Sequence, residues 1–211
     1  MSDSIGRRSR GRAACIAFSL GVLVGGCGAS QSAGAAHGPE IAIRRGTSWA
    51  TYSFLPPRII GPTADLELKN GRLRGFIAGR SMDLQIRNGE VSGYGPSGPV
   101  QADVRVDGIE AALEGQWNGK PVNFRFGPDG AKGTITVAPG RLGVSDLACS
   151  YTFDQVQSDG SLTGSTTCTG FFQDVRLHVD QNVRRIVTPS ELVVFLVAAL
   201  GNPPENPADF R

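Results

Sequence analysis

Residues 64–130 read ADLELKNGRLRGFIAGRSMDLQIRNGEVSGYGPSGPVQADVRVDGIEAALEGQWNGKPVNFRFGPDG. Within this stretch ADLEL (64–68), MDLQI (82–86), ADVRV (102–106) and VNFRF (122–126) alternate apolar and polar side chains. A period of two places one set on a dry face and the other in water, as in a half-buried β-strand. Leu66, Leu84, Val104 and Phe124 recur at intervals of 18, 20 and 20 residues. Each of these strands runs into a turn dipeptide, Asn70-Gly71, Asn88-Gly89, Asp107-Gly108 or Asp129-Gly130, and then into a returning strand, RLRGFI, EVSGY, IEAALEG or AKGTITV. Asn-Gly and Asp-Gly favour the positive φ of type I′ turns, whose twist matches antiparallel strands, so every repeat predicts one β-hairpin.

Outward from this block the pattern holds on both sides. A fifth, longer hairpin is predicted where Cys149 and Cys168 flank SYTFDQVQSDGSLTGSTT, with Asp159-Gly160 beside its midpoint. That register sets the two cysteines opposite or nearly opposite each other and predicts a cross-strand disulfide. The last element changes period. Thr188, Pro189 and Glu191 supply an N-cap, a first-turn proline and a capping box, and Leu192–Leu200 then runs without a polar residue until Gly201-Asn202-Pro203. A helix at 188–201 that is apolar on every side calls for burial all round, packed into or across the open end of the sheet; the functional alternative is a helix in the lipid interface or over a greasy cavity. The fold class is therefore all-β: an antiparallel meander of about 18–20-residue hairpins, about ten strands in residues 39–187, closing into a barrel or sandwich with one C-terminal helix. Closure follows because a long meander would otherwise leave pairing edges exposed. Residues 202–211 form a tail.

The first 26 residues have a separate character. Arg7, Arg8, Arg10 and Arg12 precede Ala13–Gly26, which holds no charge and is too short for a comfortable membrane span. This is the pattern of an export signal. It ends in Val24-Gly25-Gly26-Cys27, which resembles the lipobox of bacterial lipoprotein precursors: an aliphatic residue, two small residues and a cysteine. The resemblance covers about the first 30 residues and implies cleavage before Cys27, lipidation of its thiol, and anchorage of the following domain to a membrane of the cell envelope. Gly28, in the place where an aspartate would act in retention, implies the outer membrane where the cell has one. The competing reading is ordinary secretion with cleavage after Ala35 in Ala33-Gly34-Ala35. Residues 27–38 are small, polar and uncharged after the cysteine, as a flexible tether is.

The whole chain has 211 residues, 21 Lys+Arg and 19 Asp+Glu, for a formal net charge of +2. Arg7, Arg8, Arg10, Arg12 and Asp3 leave with the signal, so 21 becomes 17, 19 becomes 18, and the mature chain carries −1. Such a chain lacks the basic excess that nucleic-acid binding requires, and no nucleic-acid partner is expected. Of the four cysteines, Cys15 leaves with the signal, Cys27 takes the lipid, and Cys149 and Cys168 remain as a pair for an oxidising compartment.

Residues that could carry chemistry are few. The two histidines, His37 and His178, fall in the tether and in a late strand, which excludes a His-based triad or a zinc site with two or more histidines. No cofactor or metal is expected. Glu67, Asp83, Asp103 and Glu110 occupy outward positions of alternating strands, where carboxylates mostly solubilise; a glycosidase would need two facing each other in a cleft. Arg72, Arg74, Arg80 and Arg87 could form a basic face, but Glu67, Asp83 and Glu90 interleave with them. Trp49, Tyr52 and Trp117 are the candidate ligand contacts, for a sugar or a lipid, against a default of core packing. An interior calyx would be lined by Leu66, Leu68, Leu84, Ile86, Val104, Val106, Phe124 and Phe126, and the same residues would fill a solid core. The leading expectation is a non-catalytic envelope lipoprotein binding an apolar ligand, a glycan or an envelope protein. The alternative is an envelope glycan or peptidoglycan hydrolase using a carboxylate pair.

Overall fold

The structure is a computed structural model, and it describes residues 38–137, 147–168 and 171–202. The export signal, the Cys27 lipidation site, the alternative cleavage site, the tether up to His37 and the tail from Pro203 lie outside the described residues.

Fourteen antiparallel strands close into one barrel in strict sequence order. They are β1 (Glu40–Arg45), β2 (Ser48–Leu55), β3 (Arg58–Gly61), β4 (Ala64–Lys69), β5 (Arg72–Ile77), β6 (Arg80–Arg87), β7 (Glu90–Gly95), β8 (Gly98–Asp107), β9 (Glu110–Trp117), β10 (Lys120–Gly127), β11 (Gly130–Val137), β12 (Leu147–Val156), β13 (Leu162–Cys168) and β14 (Phe171–Val179). The seam joins β1 to β14, with Ile41 opposite Val179 and Ile43 opposite Leu177. Two helices follow, α1 (Val183–Ile186) and α2 (Pro189–Gly201).

The strand number exceeds the ten expected because the links between the predicted hairpins are hairpins too. From β1 to β11 every connection is a two-residue turn. Asn70-Gly71, Asn88-Gly89 and Asn118-Gly119 have positive φ at both positions, as type I′ turns require, and so does Ala78-Gly79. Two of the predicted turn dipeptides are corrected by one residue. Asp107 pairs with Glu110, so Gly108-Ile109 makes that turn; Gly127 pairs with Gly130, so Pro128-Asp129 makes the next. Successive turns alternate between two rims. The α1 rim carries turns 56–57, 70–71, 88–89, 108–109 and 128–129; the opposite rim carries 46–47, 62–63, 78–79, 96–97 and 118–119. Asp180 N–H donates to the Glu40 carbonyl, so the chain enters β1 and leaves β14 at the α1 rim.

A barrel of eight strands can be filled by side chains alone, and one of fourteen has a wider lumen. Here α2, with the roughly 10–12 Å diameter of a helix, takes up the difference. Leu192 to Gly201 are all buried, and each Val, Leu or Phe removed from water contributes about 1.5–3 kcal/mol, an upper estimate for a real unfolded chain. The helix begins at the α1 rim with the predicted capping box: Thr188 Oγ1 accepts from Glu191 N–H at 3.3 Å and the Glu191 carboxylate accepts from Thr188 N–H at 2.9 Å. It ends at the opposite rim, where the Arg45 guanidinium and, at 3.1 Å, the Tyr151 hydroxyl donate to the Leu200 carbonyl. These bonds satisfy carbonyls that a helix end leaves without partners. Phe195 sits edge-on to both Tyr52 and Phe54, ring centroids 5.2 Å apart in each case.

Curvature comes from glycine. Gly75, Gly93, Gly115, Gly133 and Gly164 lie on β5, β7, β9, β11 and β13, one on every second strand, and each pairs with lumen-facing residues such as Leu66, Leu84 and Phe124. A Cβ on Gly75, Gly93, Gly133 or Gly164 would collide with the carbonyl of the preceding strand, at Asp65, Asp83, Asn123 and Thr152 respectively. Gly75, Gly93 and Gly115 also take φ of 134° to 144°, a region that residues with a Cβ rarely adopt. Repeated glycine kinks of this kind let a sheet bend inward. The predicted disulfide is present: Cys149 and Cys168 are directly opposite each other on β12 and β13 and are bonded.

Candidate functional surface

The interior leaves the three aromatic candidates apart. Tyr52 and Trp117 are fully buried, which corrects their assignment as ligand contacts. Tyr52 meets Phe195 of α2 edge-on and its hydroxyl lies 3.3 Å from Thr63 Oγ1, with its pKa pushed up by burial. Trp117 faces the last turn of α2, beside Gly201. Trp49 alone is outside, 52% exposed, with the Arg44 guanidinium 5.6 Å above its ring. The calyx reading is likewise corrected. Leu66, Leu84, Val104, Phe124 and Phe126 are buried and Leu68 and Ile86 pack against them, but the lumen they face is occupied by α2. Val106 is exposed at the α1 rim.

The outer wall is polar and heavily paired. Arg58 binds Asp65, Arg72 binds Asp83, Arg74 binds Glu67, Arg125 binds Glu110, and Arg176 binds Asp159. Three of the four singled-out carboxylates, Glu67, Asp83 and Glu110, therefore neutralise arginines on neighbouring strands, and Arg72 and Arg74 are not a free basic face. Hydrogen bonds from Arg72 hold the Asp83 carboxyl below its ordinary value, and those from Ser161 do the same for Asp159. A general acid needs the opposite shift. Arg80 donates to Ser97 Oγ at 2.5 Å. A charged outer wall over an apolar interior is the reverse of a transmembrane barrel, whose outer band is apolar.

Shallow grooves mark this wall, among them one of about 290 Å³ lined by Glu110, Arg125, Lys132 and Asp154 and the two that follow. One of about 580 Å³ at the α1 rim is lined by Val156, Asp159, His178, Asp180 and Arg184 among others. Arg184 lies 5.0 Å over the Phe126 ring, and burial lowers its pKa. The second, of about 470 Å³, runs over β7–β9, where Glu90, Asp103 and Glu114 stand in register on adjacent strands beside Ser92, Gln101 and Gln116.

A rim of exposed aromatics is the feature that sequence reasoning missed. Trp49, Phe76 (59% exposed), Tyr94 (70%) and Phe172 (65%) are the exposed aromatic side chains among the described residues. Each is one residue from its strand end at the rim opposite α1. The signal was available in the sequence: Phe76 and Tyr94 fall on the polar parity of their strands, next to Ala78-Gly79 and Pro96-Ser97. Comparison of the chain with protein-family models, with curated proteins and with solved structures finds no match.

Proposed function

We propose that the chain is a non-catalytic envelope lipoprotein, anchored through Cys27, whose plugged barrel binds a glycan or an envelope protein with its outer surface. The observation that supports the surface-acting reading is the filled lumen: α2 is buried along its length from Leu192, so an apolar ligand has no interior to enter, and recognition falls to wall and rims. The lipobox-like Val24-Gly25-Gly26-Cys27 supports the anchor. Two or three acyl chains, at about 0.8 kcal/mol per buried CH₂, would hold such a domain on a bilayer without a membrane-spanning helix. The hydrolase alternative gains nothing from Glu67, Asp83 or Glu110, each tied to an arginine. Mass spectrometry of the protein extracted from membranes tests the anchor. The expected N-terminal residue is Cys27 bearing acyl mass; an unmodified N-terminus at Ala36 would defeat the assignment.

A further inference from the structure

We propose that the rim opposite α1 docks on an anionic phospholipid surface, with its aromatic side chains seated at the headgroup level. The two rims are built alike and decorated differently. At the α1 rim the outward positions beside the turns are Arg58, Lys69, Arg72, Arg87, Glu90, Asp107 and Glu110, where both signs of charge alternate, and the large apolar side chains exposed there, Leu55, Val106, Ile109, Val156 and Ile186, are all aliphatic. The corresponding outward positions at the opposite rim are Arg44 and Trp49, Ile60 and Asp65, Phe76 and Ser81, Tyr94 and Pro99, and, beyond the aromatic arc, Gln116 and Pro121. The fold accepts charge at such positions, so exposed aromatics at one rim are not a requirement of the barrel.

Charge follows the same division. The five described turns of the aromatic rim hold no charged residue, and Arg44, Arg45, Arg80 and Lys120 lie within two residues of them. Asp65, the one carboxylate equally close to those turns, is held by Arg58 at 2.7 Å. The aromatics span the arc of rim from β14 through β1 to β7. Arg44 and Arg80 lie in that arc, and Asp174 stands one step further down β14. Trp and Tyr favour the membrane–water boundary, where the ring is apolar and its polar edge stays wet. Cations among them add attraction to acidic headgroups. The chain enters the barrel at the other rim, but residues 28–38 can extend about 35 Å. That exceeds the roughly 26 Å contour of an eight-residue strand, so the anchor does not prevent this orientation.

This inference rests on the membrane-anchored reading, and the test separates the two by supplying the anchor synthetically. The wall, plug and core lie within residues 40–201, so residues 27–211 carry the whole fold. With Cys149 and Cys168 bonded, Cys27 is their single free thiol and couples to a maleimide phospholipid. The protein is held on vesicles of phosphatidylcholine and phosphatidylglycerol with brominated acyl chains, and Trp49 emission is taken as the difference from the Trp49→Phe variant, since Trp117 stays buried. Docking by the aromatic rim quenches Trp49 by about twofold or more relative to unbrominated vesicles. Emission returns in the Phe76→Ser/Tyr94→Ser variant and, on the anionic vesicles, in Arg44→Gln/Arg80→Gln. A reporter at the other rim, Ile109→Trp in the Trp49→Phe background, stays unquenched. Unquenched Trp49, or equal quenching at position 109, overturns the proposal whatever the fate of native Cys27; an unacylated native Cys27 would overturn only the anchor.

Discussion

Replacing Phe195 by alanine tests whether α2 is the core of this barrel or an accessory to it. The side chain is fully buried and meets Tyr52 and Phe54 edge-on, each ring centroid 5.2 Å away. Truncation removes those contacts and leaves a cavity that the closed wall, hydrogen-bonded all round, cannot collapse to fill. A loss of about 3–5 kcal/mol follows from comparable buried phenylalanines. For a domain of this size that lowers Tm by about 6–20 °C. The control is Phe76→Ala, which removes an equal ring from an outward position 59% exposed and should change stability by no more than about 0.5 kcal/mol. Guanidinium-chloride unfolding followed by far-UV circular dichroism, on both variants and the parent, gives the comparison. If the two variants differ by less than about 1 kcal/mol, the helix contributes no more than a surface residue does, and the account of the lumen is wrong.

Three further outcomes follow from the wall and its pairs. Gly133→Ala drives a methyl into the Asn123 carbonyl and should cost more than about 2 kcal/mol; Gly79→Ala, a turn position with φ 71° and open space around it, should cost only about 1 kcal/mol, and thermal melts rank the two. The Cys149→Ser/Cys168→Ser variant frees a hairpin closed over a sequence separation of 19 and should lose about 2–4 kcal/mol in denaturant unfolding, with the parent under reductant matching it. Asp83, held below its ordinary value of 3.8 by Arg72, contributes stability that is present above the unfolded pKa and fades as pH falls through the folded one. The stability gap between the parent and Asp83→Asn should therefore be small at neutral pH, shrink with salt because the pair is half-exposed, and close below that folded pKa; carboxyl NMR titration reads the depressed value directly.

The repeat was legible because alternation and Asn-Gly turns are local signals, and Asn70-Gly71 and Asn88-Gly89 form the turns their residues dictate. The strand count was less legible. A spacing of 18–20 residues predicts one hairpin and a link, whereas Ala78-Gly79 and Pro96-Ser97 turn as tightly as the Asn-Gly pairs. Ala78 adopts φ 50° without any side-chain signal for it, because the barrel rather than the residue fixes that turn. The mid-strand glycines in RLRGFI, EVSGY and AKGTITV were visible as letters, yet their role depends on how close the preceding strand passes, which is a tertiary fact. Burial of Tyr52 and Trp117 depended on the same kind of information: parity assigns a face, but only the closed wall and the helix inside it decide that the face is sealed.

A fully apolar helix and a polar-walled barrel explain each other. Leu192–Leu200 has no side that tolerates water, and a fourteen-strand wall has a lumen that Leu66, Leu84 and Phe124 cannot fill alone. Once the two combine, the seam between β1 and β14 closes the sheet edges and α2 takes up the lumen. Among the described residues, the outer wall and the rims are the surface open to another molecule. Five arginine–carboxylate pairs, Arg72 with Asp83 and Arg125 with Glu110 among them, take up part of the charge there. Trp49, Phe76, Tyr94 and Phe172 face outward along one arc of the rim opposite α1, where another molecule can reach them.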